Sequence, residues 1–190
     1  MTDPVNNQNN CDLEGNLKRL QAGSILISRS DLHDSNFKAT AVLLCVHGQD
    51  GVYGLVLNRL VHMPVSEIFD GFSGINVMKE IHIGGPVHQD ELQIIQITEH
   101  PMEGAYQIVP NVYVGGKWGS IDQIMNADKT TTWLFLGYSG WSIVQLEAEV
   151  RASLWDVYKV DVNRLLMDPL QCSVKSIKEI VNYLESIRLD

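Results

Sequence analysis

Cysteine is scarce in this sequence: Cys11, Cys45 and Cys172 are the only three among 190 residues, and none forms a CxxC pair. A disulfide framework is therefore excluded, and the odd count suits a reducing compartment. Long apolar runs are missing as well. A run such as Ala41 to Val46 falls far short of the roughly 18 residues that cross a bilayer as a helix. The opening MTDPVNNQNN has no basic region ahead of an apolar one, so it does not read as a signal peptide. A cytoplasmic location away from membranes is expected. Positive charge is in deficit, with 14 Lys and Arg against 23 Asp and Glu and a formal net charge of −9. Tracking nucleic-acid phosphates needs the opposite sign gathered on one face. Direct nucleic-acid binding is not expected.

What is present suits one globular domain, since 45% of the residues are hydrophobic and 19% charged at a length that buries a full core without a metal. Residues 1–16 are rich in Asn and read as a flexible tail, leaving 17–190 as the domain. Apolar runs at Gly23–Ser28, Ala41–Val46, Val52–Leu57, Glu80–Ile83, Leu92–Thr98, Ala105–Val109, Tyr113–Val114 and Thr132–Leu136 predict strands. Asp50-Gly51 turns the second into the third, and Asn58 closes that hairpin. Short helices are predicted at Val65–Phe69 and Ser120–Asn126. After Trp141 the period becomes helical, with Ile143, Leu146, Val150 and Leu154 on one face and Trp155 extending the helix or capping its end. Asp168-Pro169 breaks the chain before a helix over Val174–Leu189. Strands outnumber helices without a regular βαβ order, which favours an α+β fold.

The chemical candidates are few. Gly137-Tyr-Ser139-Gly-Trp141 follows a strand and precedes a helix, as an esterase nucleophile elbow does, but that elbow needs Gly where Trp141 stands. Ser139 is therefore expected in an exposed turn or as a helix cap. Cys45 and His47, two apart on a strand, are expected on one side, a buried thiol beside a hydrogen-bonded imidazole. The glycine pairs at Gly84-Gly85 and Gly115-Gly116 match no phosphate loop and are read as tight turns or close packing. No HExxH or zinc spacing is present, so no metal, cofactor or catalytic residue is assigned. Gln145 and Glu149 share a helix face, whereas Glu147 and Glu149 diverge and make no acid and base pair.

Together, CVHGQDGVYGLVLNR, HIGGPV, VYVGG and LGYSGWSIVQLEAEV, preceded by AGSILISRSDLHDSNF, resemble the AlgH/YqgE family of bacterial proteins over residues 17–154. The resemblance implies a compact α+β domain with a bifurcated, partly barrel-like sheet flanked by helices, and no established activity, cofactor or metal. The family's recurring signature falls on Asn58, Gly84, Gly85, Pro86, Gly137, Tyr138, Gly140, Trp141, Gln145, Leu146 and Glu147. Arg59 replaces the family's Lys, and ASLWDVYKVDVNRLLMDP departs from its usual Trp-containing loop. The reading is a non-enzymatic binding or regulatory protein for an unknown protein or small ligand. Its recognition surface is Asn58, Gly84, Gly85, Tyr138, Ser139, Trp141, Gln145 and Glu147. The alternatives are a hydrolase or small-ligand enzyme using Ser139 and a transcriptional regulator acting directly or indirectly. Oligomeric state is not legible.

Overall fold

The computed structural model describes residues 13–61, 80–117, 130–167 and 176–189. Among them, strands β1 (Ser24–Ser28), β2 (Ala41–Gly48), β3 (Gly51–Val56), β4 (Leu60–Val61), β5 (Ile81–Ile83), β6 (Val87–Ile97), β7 (Tyr106–Val109), β8 (Val112–Val114), β9 (Thr131–Trp141) and β10 (Trp155–Lys159) join one sheet. Helices α1 (Ile143–Arg151), α2 (Val162–Met167) and α3 (Ile177–Ser186) flank it. The strand order is β10-β1-β2-β3-β9-β6-β8-β7, with β4 and β5 branching off β9. β5 runs parallel to β9, while the other pairings are antiparallel. The α+β class expected from the sequence is the one observed, and the sheet is bifurcated without closing as a barrel.

The fork lies within β9. Its first half, up to Leu136, pairs with β5 and β6, and Ser139–Trp141 pairs with β3. β5 and β3 thus occupy the same edge of β9 in succession. The sheet has a core on each face. One gathers Leu43, Cys45 and Leu55 with Ile95, Trp133 and Phe135 from the other limb, beneath Leu165 and Leu166 of α2 and Ile180 and Leu184 of α3. The other gathers Leu26, Val42, Leu44, Val52, Trp141 and Trp155 under Leu146 and Val150 of α1. β2 is apolar without alternation because successive side chains enter different cores.

Three expectations are corrected. β9 does not stop at Leu136 but runs on through the GYSGW motif, because β3 supplies a second partner there. The helix after Trp141 ends at Arg151, where Ser153 adopts φ +57 in the turn that follows. Trp155 neither extends nor caps it, and opens β10 in register with Ser28 of β1. Part of the expected tail is ordered: residues 13–18 are helical, and the Asn16 carboxamide oxygen accepts the Val157 N–H at 3.1 Å. The final helix begins at Ile177 behind a capping box formed by Ser176 and Glu179. The expected helices at Val65–Phe69 and Ser120–Asn126, and Asp168-Pro169, lie outside the described residues. No helix among the described residues is long and apolar enough to cross a membrane.

Candidate functional site

The GGP turn and the GYSGW strand meet at the fork. A Cβ on Gly84 would lie 2.3 Å from the Gly137 carbonyl oxygen, and one on Gly85 would lie 2.3 Å from both Ser139 Oγ and the Tyr138 carbonyl oxygen. Gly137 itself has φ +64, and its Cβ would stand 2.7 Å from the Val87 carbonyl oxygen. Only glycine permits both that backbone conformation and such an approach. Hydrogen bonds complete the handover from β5 to β3: the Gly84 N–H donates to Leu136 O at 2.8 Å, and the Val56 N–H donates to Gly84 O at 2.9 Å. Ser139 is fully buried, and its hydroxyl donates to the same Gly84 carbonyl at 3.0 Å. It is neither exposed in a turn nor a helix cap; Ser142 caps α1.

The Cys45 and His47 expectation also changes. Register shifts between Leu44 and Val46, so the bulge puts Cys45 in the core beneath α2 and α3 and sets His47 opposite Val52, a residue of the core under α1. Directly opposed residues share a face, and the two side chains therefore diverge. The Cys45 thiol contacts the Leu43 carbonyl at 3.7 Å rather than an imidazole. Complete burial pushes its pKa up, away from the reactive thiolate.

The aromatic residues build two groups. Glu149 of α1 lies outside the surface expected from the sequence, yet its carboxylate accepts the Trp141 indole N–H at 3.1 Å and the Trp155 indole N–H at 2.8 Å. Gln145 donates to its other oxygen at 2.9 Å, and the Phe37 ring lies tilted against Trp141 and edge-on to Trp155. The helical spacing of Gln145 and Glu149 was visible in the sequence; the convergence of two indoles on one carboxylate depends on β10 crossing the sheet. In the second group, Tyr138 stacks on Tyr53 with centroids 4.9 Å apart and on exposed His88 at 5.9 Å. The Tyr53 hydroxyl donates to Gln93 at 2.9 Å, and burial first, then the neighbouring Cys45 and Tyr138, pushes its pKa up. His88 holds φ +47 at the start of the β6 irregularity.

The expected surface is thus several places. Gly84, Gly85, Tyr138 and Ser139 meet at the fork, and Trp141 and Gln145 meet at Glu149. Asn58 lies at the far end of β3 from Val52, the residue paired with Trp141; that separation is roughly 20 Å at about 3.3 Å per residue. Its carboxamide accepts the Ala41 N–H and donates to Ala39 O, both at 2.9 Å, bracing the hairpin as its sequence position suggests. Glu147 pairs with Arg151 at 2.8 Å on the helix surface. Among the described residues, no group of three or more His, Cys, Asp or Glu side chains could hold a metal ion.

The family model described as DUF179, AlgH-like, matches residues 25–176. The chain belongs to this AlgH-like family. Among its relatives, the UPF0301 protein of Chlorobium luteolum is 36% identical over 141 residues, 73% of this chain and 74% of the relative. That of Chlorobaculum tepidum is 33% identical over 139 residues, 72% and 73% of the two chains. The solution structure of AlgH from Pseudomonas aeruginosa shares the fold with a TM-score of 0.68 at 21% identity, covering 87% of each chain. A Corynebacterium diphtheriae crystal structure does so with a TM-score of 0.62 at 16% identity, covering 75% of this chain and 78% of its own. In this AlgH-like chain, the GGP and GYSGW motifs are the parts that join the two limbs of the sheet.

Proposed function

We propose that this chain acts by binding a partner in the cytoplasm and carries out no catalysis of its own. The supporting observation is the burial of Ser139 with its hydroxyl committed to the Gly84 carbonyl. A serine nucleophile needs an accessible Oγ bonded to a general base. Cys45, the other nucleophile among the described residues with a motif-like setting, is fully buried. The surface best suited to recognition is the Tyr138 and His88 stack beside the Gly84-Gly85 turn, where an exposed imidazole and a half-buried phenol ring present flat, partly polar area. The formal charge of −9 favours a protein or small ligand over nucleic acid.

Native labelling tests the non-catalytic reading. The folded protein is incubated with a fluorophosphonate and with iodoacetamide, and modified residues are mapped by mass spectrometry. Ser139 and Cys45 stay unmodified, and Cys45 becomes labelled only on denaturation. Stoichiometric labelling of Ser139 in the folded chain would establish the hydrolase alternative. The recognition face is tested by comparing partners captured by the wild-type chain and by a His88→Ala variant. Selective loss from the variant supports that face, and identical capture counts against it.

A further inference from the structure

The outer edge of β10 is covered by two segments distant in sequence. On one side the Val157 N–H is bonded by Asn16, and on the other the Leu189 N–H donates to Lys159 O at 2.8 Å while Arg188 bridges to Val160. Between them lies a cleft of about 240 Å³ lined by Arg19, Arg29, Asp156, Tyr158, Glu185 and Arg188. Three guanidinium groups therefore face two carboxylates, a local excess of positive charge on a chain whose net charge is −9.

The two ion pairs in the cleft are loose. Arg29 and Asp156 stand 3.4 Å apart with side chains 47% and 39% exposed, and Arg188 and Glu185 stand 3.1 Å apart at 39% and 47%. Pairs this exposed contribute little and can rearrange around a ligand. Arg19 has no carboxylate partner among the described residues; its guanidinium reaches only the Asn16 carboxamide, at 3.4 Å. Tyr158 is half-buried at the cleft wall, and a phenol hydroxyl can donate one hydrogen bond. Burial raises its pKa first and the Asp156 and Glu185 carboxylates raise it further, while Arg188 and Arg19 act to lower it, so charged groups of both signs in the cleft act on this phenol.

We infer that this cleft is a binding site for a small oxyanion ligand, a phosphate or carboxylate group held by Arg19 and Tyr158 and flanked by Arg29 and Arg188. A guanidinium presents a planar fork that meets two oxygens of such a group at once. The Tyr158 O–H adds a donor from the sheet. The site lies apart from the Tyr138 and His88 face and stands whether or not that face recognises a partner.

The test is an NMR titration of the full chain, observing arginine side-chain Nε–H and amide signals. Inorganic phosphate and succinate are the probes, with sodium chloride at matched ionic strength as the reference. Saturable shifts of Arg19, Arg29 and Arg188 with either probe, beyond those caused by chloride, are expected. Phosphate alone saturating identifies a phosphate-bearing ligand, and succinate alone a carboxylate. Arg19→Gln is expected to weaken the dissociation constant at least tenfold, and Tyr158→Phe several-fold with the fold unchanged in its amide spectrum. Shifts no larger than those from chloride, or unchanged affinity in Arg19→Gln, would overturn the site.

Discussion

Single residues show how much of the polar chemistry in this chain is committed to structure. Glu149 is the acceptor for two indole N–H groups and a carboxamide, and removing it leaves donors without partners beside a dry core. Glu149→Leu is expected to cost about 2–3 kcal/mol, read as a lower urea midpoint with a changed tryptophan emission. His82 presents a different case. It is 2% exposed, lies against Trp133 and Phe135, and among the described residues neither ring nitrogen meets hydrogen-bond geometry. Burial lowers its pKa from 6.5 to about 4, opposed by a weak polar interaction with the Leu134 backbone that falls short of a formed hydrogen bond. The unfolded chain therefore takes up a proton near pH 6.5 that the folded chain refuses until about pH 4. Stability from this group is complete above 6.5 and lost as pH falls towards 4, and the gap corresponds to about 3 kcal/mol. Urea unfolding of wild type and His82→Leu across pH 4 to 7 should show the wild type losing stability relative to the variant as pH falls, by up to about 3 kcal/mol. A difference independent of pH would refute this assignment.

At the level of elements, the decisive feature is the fork in β9. Gly137→Ala combines a left-handed φ with contacts of 2.7 and 2.9 Å to two carbonyl oxygens, and a loss of about 3 kcal/mol or failure to fold is expected. Gly115→Ala is the control, because Gly115 has φ +73 but nothing within 4 Å of its Cβ; about 1 kcal/mol is expected there. Thermal midpoints of the two variants separate close approach from backbone strain alone. Ser139→Ala removes the hydroxyl hydrogen bond to Gly84, with an expected loss of about 1 kcal/mol.

Much of this architecture was legible in the sequence. Period and turn residues located β1 to β3, β5 and the C-terminal helix, though not its cap at Ser176, since each draws its pattern from its own residues. The β9 extension was hidden because Gly137 and Gly140 break strand propensity locally, and their pairing is set by β3 and the GGP turn far away. Trp155 follows directly on Leu154, which continues the helical spacing of Leu146 and Val150, and it was misplaced for the same reason: register with β1 decided its conformation. Asn58 could be read as a brace from its place after a hairpin. Glu149 could not, as its partners meet only after β10 has crossed to the sheet edge.

For the molecule as a whole, the motifs that mark the AlgH-like family are here the mechanical joint between two limbs of a sheet, and recognition is left to surfaces around it. The Arg19 and Tyr158 cleft sits on the β10 edge, whereas the Tyr138 and His88 stack sits by the fork. The central claim is that the GGP and GYSGW segments form a rigid junction. Native-state hydrogen exchange of the Val56 and Gly84 amides, which bond across that junction, tests it most directly. Both are predicted to exchange only with global unfolding, at the same free energy as core amides such as Leu43 and Ile95. Exchange of either through local opening, at the low free energy typical of a surface loop, would contradict the account.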